Sequence, residues 1–416
     1  MDMQTGMAEV YNEDFFRTMD NVEGLVTIVV DGKPVMTQSV PELTGLKPQE
    51  TRRVNMAKLP FAQKVLDIIR ENAGCEVLAN VQFRLRDSEP LLPAGYVVAE
   101  QQFTLQDYSF PSAAQVLAQA KANEELTVKV DSQLACYTMT AAGLSVTVNR
   151  STGMIDYLDV NGRPMLQDEY SVTPNFWRAP TDNDYGAGLQ NNFAAWKNPA
   201  MKTKQVSLQK VEGGVAVTSL IALPGVNGEL TLTYTLTNDG ALIVGQKLKA
   251  DPAKKNTNMF RFGMQWVMPR AYDQVTYYGR GPVETYIDRD AQQLGCYTQK
   301  VGEMYHPYVR PQESGNHTDV RSWAVTDAAG HGLKFLATGK MECSTLPYLP
   351  QDLDDGPDKY AHQSHSGDLV ERPFSVLQIQ QRQFGLGGVT SWGTWPINKY
   401  HLNYLDYDFT YIVKPC

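Results

Sequence analysis

The feature that most constrains the fold is a strict alternation of apolar and hydroxyl side chains. Residues 230–237 read LTLTYTLT, so every second side chain is apolar, as in a strand with one buried face. The turn sequence NDG follows at 238–240, and a second apolar run begins at 241, which predicts a hairpin. The same alternation occurs at 144–148, and turn residues recur about every ten positions. The chain is therefore predicted to be all-β.

Composition and charge exclude several classes of protein. The chain of 416 residues is 42% hydrophobic and 20% charged, which predicts a buried core and argues against disorder. The net charge is −9 and basic residues form no run, so we expect neither a nucleic-acid partner nor an anionic membrane surface. No apolar run is long enough to span a membrane, and the first residues do not read as a signal peptide. The cysteines show no CxxC spacing, so free thiols are predicted at Cys75, Cys136, Cys296, Cys343 and Cys416.

One Ala-rich stretch interrupts the strand pattern. Residues 112–122 read SAAQVLAQAKA and follow a proline, so this stretch is either a short helix or a linker. We place the domain boundary there. Residues 1–107 have the length of one immunoglobulin-like sandwich, and residues 108–128 form the linker or short helix. No internal repeat divides residues 129–416, which favours a single large antiparallel sandwich.

Isolated candidate sites are weak. The acidic stretch 352–358 does not match an EF-hand, and His362 and His365 lie in a loop-like sequence. We therefore predict no metal site and interpret both as ordinary polar positions. Asn-Glu dipeptides occur at 12–13 and 123–124, but neither lies in the strand–helix alternation of a barrel hydrolase. No pair of catalytic carboxylates is predicted in this chain.

Three denser segments mix aromatic, charged, amide and glycine residues. Motif 1 is NFWRAPTDNDYG at 175–186; motif 2 is YGRGPVETYIDR at 278–289, continued by YVRPQESGN at 308–316; motif 3 is QFGLGGVTSWG at 383–393. An aromatic ring can cover the apolar face of a pyranose while polar groups bind its hydroxyls. Arg–carboxylate networks and Trp packing inside a large sandwich use the same residue types. Both interpretations remain open from the residues alone.

In order and spacing, the three motifs together resemble the C-terminal part of glycoside hydrolase family 2 β-galactosidases of the LacZ type. The resemblance implies an immunoglobulin-like sandwich followed by a galactose-mutarotase-like antiparallel supersandwich. It also implies that the catalytic glutamates lie in a barrel domain outside this chain, so the chain has no catalytic residue and is inactive alone. The Mg and Na sites of the family are expected mainly outside it too. The implied partners are a β-galactoside, the catalytic barrel of the same protein or of a large subunit, and a second copy in a homo-oligomer.

Substrate-binding residues are implied by the same resemblance. Trp392 matches a tryptophan that lines the sugar pocket, and Gly186 matches a glycine that opens a mobile loop near it. Thr285 stands where the family usually has Asn, and His317 where Arg is common, which weakens any sugar contact there. The other candidate substrate-binding residues, all in motif 1, are Arg178, Asp182, Asn183 and Asp184.

Other functions remain as alternatives. The chain could be a stand-alone carbohydrate-binding protein or the small subunit of a two-chain β-galactosidase. A mutarotase-like epimerase needs an acid and a base facing one sugar, usually His with Glu, and none of the six histidines lies in such a context. The resemblance points to a bacterium, with the cytoplasm and the periplasm equally open.

Overall fold

The fold is all-β, as predicted. The computed structural model describes residues 6–120, 126–358, 360–362, 364–390 and 393–416. Within them the chain forms 24 strands and four short α-helices, and no helix there is long and apolar enough to cross a membrane. Two compact units are present: residues 1–109 with 293–296, and residues 110–292 with 297–416. The five cysteines are free, as predicted.

The first unit contains two antiparallel sheets and one helix. Its strands are β1 (Met7–Tyr11), β2 (Val22–Val30), β3 (Lys33–Ser39), β4 (Thr51–Asn55), β5 (Val77–Leu85) and β6 (Val97–Gln106). They form a sheet in the order β3-β2-β5-β6 and a pair β1-β4. The alternation pattern does not predict the helix α1 (Ala62–Glu71), although Val65, Ile68 and Ile69 have helical spacing. These three residues pack on the core of the unit.

The second unit contains three sheets. The first contains β7 (Thr127–Asp131), β8 (Cys136–Ala141), β9 (Leu144–Asn149), β10 (Ile155–Val160) and β11 (Arg163–Pro164). The second contains β12 (Thr173–Asn175), β17 (Arg261–Pro269), β23 (Phe374–Gln383) and β22 (Glu342–Leu346), in that spatial order. The third contains, in spatial order, β13 (Lys202–Val211), β14 (Gly214–Leu223), β15 (Gly228–Thr237), β16 (Leu242–Ala250), β24 (Tyr407–Pro415), β21 (Gly332–Ala337), β20 (Ser322–Thr326), β18 (Gln274–Gly281) and β19 (Gln293–Lys300). The first four residues of β19 are grouped with the first unit.

The hairpin predicted from the alternation is confirmed. Strands β15 and β16 pair antiparallel, with Leu236 opposite Leu242. Leu230, Leu232 and Tyr234 are fully buried, because the side-chain period of two places all of them on one face. The pattern of hydroxyl and apolar residues therefore determines which face of this strand meets the core.

The Ala-rich stretch is helical where it is described. Helix α2 (Ala113–Ala120) belongs to the second unit. Its Val116 packs against Ala241, Ile243 and Ile412. This contact explains why the stretch orders: a helix of eight residues is marginal by itself and depends on tertiary packing.

Candidate functional site

Motif 1 begins at the last residue of β12 and continues through an irregular segment into the short helix α3 (Asp182–Gly186), which is followed by α4 (Leu189–Asn192). Thr181 caps α3: its hydroxyl accepts from the backbone N–H of Asp184 at 3.1 Å, and Asp184 Oδ2 accepts from the backbone N–H of Thr181 at 2.8 Å. This reciprocal capping box satisfies two backbone donors at the helix start. The local sequence TDND therefore fixes the position of the motif 1 side chains.

Arg178 and Asp184 form a buried bidentate ion pair. Arg178 Nε donates to Asp184 Oδ2 at 3.0 Å, and Nη2 donates to Oδ1 at 2.8 Å. Arg178 also donates to the carbonyls of Phe384 and Gly385 in motif 3. Both side chains are inaccessible to solvent. Burial is the largest single influence and lowers the pKa of Arg178, but the charge and hydrogen bonds of Asp184, with the nearby Glu313, together outweigh it, so the pKa of Arg178 is raised.

Motif 3 packs directly on motif 1. Asn183 Nδ2 donates to the carbonyl of Leu386 at 3.2 Å. Gly393 has φ +80°, and a Cβ there would lie 2.3 Å from the carbonyl oxygen of Gly186. Only a glycine accepts both the conformation and the close approach. The glycines of motif 3 therefore bring its backbone against helix α3.

Motif 2 is also hydrogen-bonded to motif 3. Asp288 accepts from the backbone N–H groups of Leu386 at 3.0 Å and Gly387 at 2.9 Å. Glu284 joins the two parts of motif 2, because it accepts from the backbone N–H of Gly315 at 2.7 Å and from the Tyr308 hydroxyl. The three motifs, distant in sequence, therefore form one hydrogen-bonded assembly.

A buried polar network lies next to this assembly. The Glu313 carboxylate accepts from Arg261 Nη2 at 2.7 Å and from Gln383 Nε2 at 2.9 Å. Asn316 in turn donates to Glu342 at 3.0 Å and accepts from Gln380 at 2.7 Å. The network is only partly satisfied, because Arg261 Nε and Nη1, Gln380 Oε1 and Gln383 Oε1 have no partner among the described residues. Motif 2 therefore supplies internal structure as well as surface residues.

The two departures from the family pattern lie inside the fold. Thr285 is buried, and its hydroxyl accepts from the backbone N–H of Thr318 at 2.8 Å. His317 is buried against Tyr277 and Trp323, and burial lowers its pKa to about 4. A neutral ring suits this environment, so both substitutions act on packing.

The predicted site residues separate into two groups. Arg178 and Asp184 face inward and bind each other, whereas Asp182, Asn183 and Gly186 reach the surface. The Asp182 side chain is 56% exposed, and its Oδ2 accepts from Gln312 Nε2 at 3.3 Å. Trp392 lies outside the described residues.

Two residues that the sequence did not single out connect the motifs. Asp288 anchors the backbone of motif 3, and Gln312 accepts from the backbone N–H of Asp182 at 3.1 Å. Both belong to motif 2, so the motif is visible in the sequence, but the contacts of each residue are not. Among the residues that the structure describes, no cluster of His, Cys, Asp and Glu could hold a metal ion.

Both compact units match known protein families. Residues 140–413, more than half of the chain, match the family described as Beta galactosidase small chain, and residues 8–106 match Beta-galactosidase, domain 4. The chain belongs to the β-galactosidase family. The two matches cover all three motifs and most of both compact units.

Curated relatives of the β-galactosidase family are considerably longer than this chain. A β-galactosidase of Priestia megaterium is 28% identical over 423 residues, covering 100% of this chain and 38% of that protein. A β-galactosidase of Lactobacillus delbrueckii subsp. bulgaricus is 29% identical over 401 residues, covering 94% of this chain and 36% of that protein. This chain therefore spans less than two fifths of the length of these relatives.

A solved galactose 1-epimerase of Lactobacillus acidophilus covers 70% of this chain and 99% of its own, with 10% identity and a TM-score of 0.35. That similarity is too low to support an inference about function.

Proposed function

We propose that this chain is the C-terminal, non-catalytic part of a retaining β-galactosidase and completes the pocket for a terminal β-D-galactoside. The observation that carries the proposal is the assembly of motifs 1 and 3. It presents Asp182, Asn183 and Gly186 at the surface, and Trp392 precedes Gly393, which packs on Gly186. Polar groups beside an aromatic ring are what a pyranose needs for recognition.

The two groups of motif 1 residues have different roles in this proposal. Arg178 and Asp184 are positioning residues, because the arginine uses four of its N–H groups within the fold. Asp182 and Asn183 are the groups available to substrate hydroxyls. A rigid buried pair beneath exposed polar side chains keeps those side chains oriented before the sugar arrives, which reduces the entropic cost of binding.

The chemistry of hydrolysis comes from elsewhere in this proposal. A retaining glycosidase needs two carboxylates roughly 5–5.5 Å apart. Within motif 1, Asp184 is neutralised by Arg178, and the exposed carboxylate of Asp182 lies 3.9 Å from Arg310. The catalytic pair belongs to a barrel domain of the same protein or of a large subunit.

The chain alone is expected to show no β-galactosidase activity. The test is an assay of the purified chain with a chromogenic β-galactoside, with a mixture of the chain and the catalytic domain as the positive control. Turnover above the blank that survives a second purification would contradict the proposal. Turnover by the catalytic domain at full rate without this chain would show that the chain does not complete the pocket.

Replacing Trp392 by Ala in the protein that contains the catalytic domain is expected to raise KM by up to about tenfold, because one stacking ring contributes about 0.5–1.5 kcal/mol. The melting temperature of the isolated chain should barely change. Trp395→Ala is the matched control: Trp395 packs edge-on against Phe193 and Phe384, so its loss should lower the melting temperature. An equal fall for Trp392→Ala would mean that Trp392 is a packing residue.

A further inference from the structure

We propose that a cleft at the start of β22 binds a hydroxyl-rich ligand the size of one monosaccharide. The cleft has a volume of about 260 Å³, and its lining includes Lys340, Glu342, Gln381, Arg382, Lys399 and Tyr400. All of these residues belong to the second unit. The inference goes beyond the proposed function and does not rest on it, because none of the motif 1 residues lines this cleft.

A β-bulge shapes the floor of the cleft. Gln380 lies opposite Gly263, and Arg382 opposite Phe262, so Gln381 has no partner residue on β17. On its other side, Gln380 pairs with Glu342, the first residue of β22. A bulge re-aims the side chains beside it, and here the consecutive residues Gln381 and Arg382 both line the cleft.

Glu342 contributes a buried carboxyl group. Its side chain is 4% exposed, and Oε2 accepts from Asn316 Nδ2 at 3.0 Å and from the backbone N–H of Gln383 at 3.3 Å. Both hydrogen bonds use the same oxygen, which leaves Oε1 for a ligand. Burial raises the pKa of Glu342 to about 8, so near neutral pH the group carries a proton that it can donate.

Two further polar atoms of the lining residues have no partner in the described part of the chain. They are an acceptor, Gln381 Oε1, and a donor, Arg382 Nε, and both are buried. A buried polar atom without a partner costs about 1–3 kcal/mol. Because both atoms are buried, the Gln381 and Arg382 side chains must turn toward the cleft for a ligand to reach them. A hydroxyl group is donor and acceptor at once and can then bond to either atom, whereas a simple anion accepts but does not donate.

The rest of the lining carries charges of both signs, with positive groups in excess. Lys340, Arg382 and Lys399 line the cleft with Asp290 and Asp319, and Asp319 is already paired with Arg280 at 2.6 Å. This excess suits a ligand that offers acceptor oxygens, which sugar hydroxyls do. The half-buried Tyr400 ring, with Ile287, supplies apolar surface for the C–H face of a sugar.

The test uses this chain labelled with ¹³C at its methionine methyl groups. Met341 lines the cleft, and its resonance, assigned from Met341→Leu, should shift on titration with galactose or glucose in the millimolar range. The resonance of Met139, which is buried in the core, should not move. No shift of Met341 with either sugar would overturn the proposal, and so would a shift with acetate but not with the sugars.

Substitutions of the lining residues test whether the sugar binds in this cleft. Arg382→Met should weaken sugar binding about tenfold, because it removes a hydrogen-bond donor. Arg372 is an exposed arginine just before β23 that pairs with Asp352, and Arg372→Met should leave sugar binding unchanged. Lys399 is exposed, so Lys399→Ala should leave folding unchanged and should weaken sugar binding several-fold. Unchanged affinity in both Arg382→Met and Lys399→Ala would overturn the proposal. Trp392→Ala should leave the Met341 shift intact; its loss would assign the sugar to Trp392 instead.

Discussion

Replacing Asp184 by Asn is expected to lower the free energy of unfolding of the second unit by about 3–5 kcal/mol, the typical cost of leaving a buried charge without its partner. Arg178 would keep its charge, because a guanidinium is not deprotonated in proteins, and that charge would stay buried beneath the carbonyls of motif 3. The substitution also removes the carboxylate that caps the backbone N–H of Thr181. The measurement is urea unfolding followed by tryptophan fluorescence, since all six tryptophans lie in the second unit.

Asp182→Asn is the matched control for this prediction. It makes the same chemical change two residues earlier in the same helix, but the Asp182 side chain is largely exposed. Its free energy of unfolding should stay within about 0.5 kcal/mol of the unsubstituted chain. Equal stabilities for the two variants would show that the Arg178–Asp184 pair does not anchor the assembly of motifs 1 and 3.

Gly263→Ala is expected to cost about 3 kcal/mol, at the upper end of what overpacking costs. A Cβ at Gly263 would lie 2.5 Å from Gln380 Cα and 2.5 Å from the carbonyl oxygen of Ile379. Both are backbone atoms of β23, so β17 and β23 must separate to admit the methyl group. The shift falls at the bulge beside Gln381, so the same variant should also disturb the cleft.

Gly245→Ala separates this steric effect from the general effect of replacing a strand glycine. Gly245 lies inside β16, and a Cβ there would meet no atom closer than 3.7 Å, which is ordinary contact. Because alanine restricts the unfolded chain more than glycine does, this variant should be neutral or slightly stabilising. The two variants are compared by the same urea unfolding experiment, and similar losses in both would contradict the steric explanation.

The sequence patterns that predicted secondary structure are those that depend only on residues close together in the chain. The alternation at 230–237 predicts a strand and its buried face, because the side-chain period of a strand is a local property. The helical spacing of Val65, Ile68 and Ile69 carried the same kind of information, but it is short and lies in a region of strand and turn signals. The Ala-rich stretch stayed ambiguous, since a helix of that length depends on Val116 finding its contacts.

The candidate site shows the limit of that information. The residues of the three motifs, and hence the family, were determined by the sequence by itself, but the roles within motif 1 were not. Arg178 and Asp182 are close in the chain, yet one is buried under carbonyls of motif 3 and the other is exposed.

The cleft at β22 was invisible in the sequence, because residues 340–342, 381–382 and 399–400 meet only when the sheet is built. The tertiary structure decided the roles of the motif 1 residues and the position of the cleft, for one physical reason. The burial and hydrogen-bond partners of a polar side chain come from segments that can lie hundreds of residues away, and no local pattern records which segments those are.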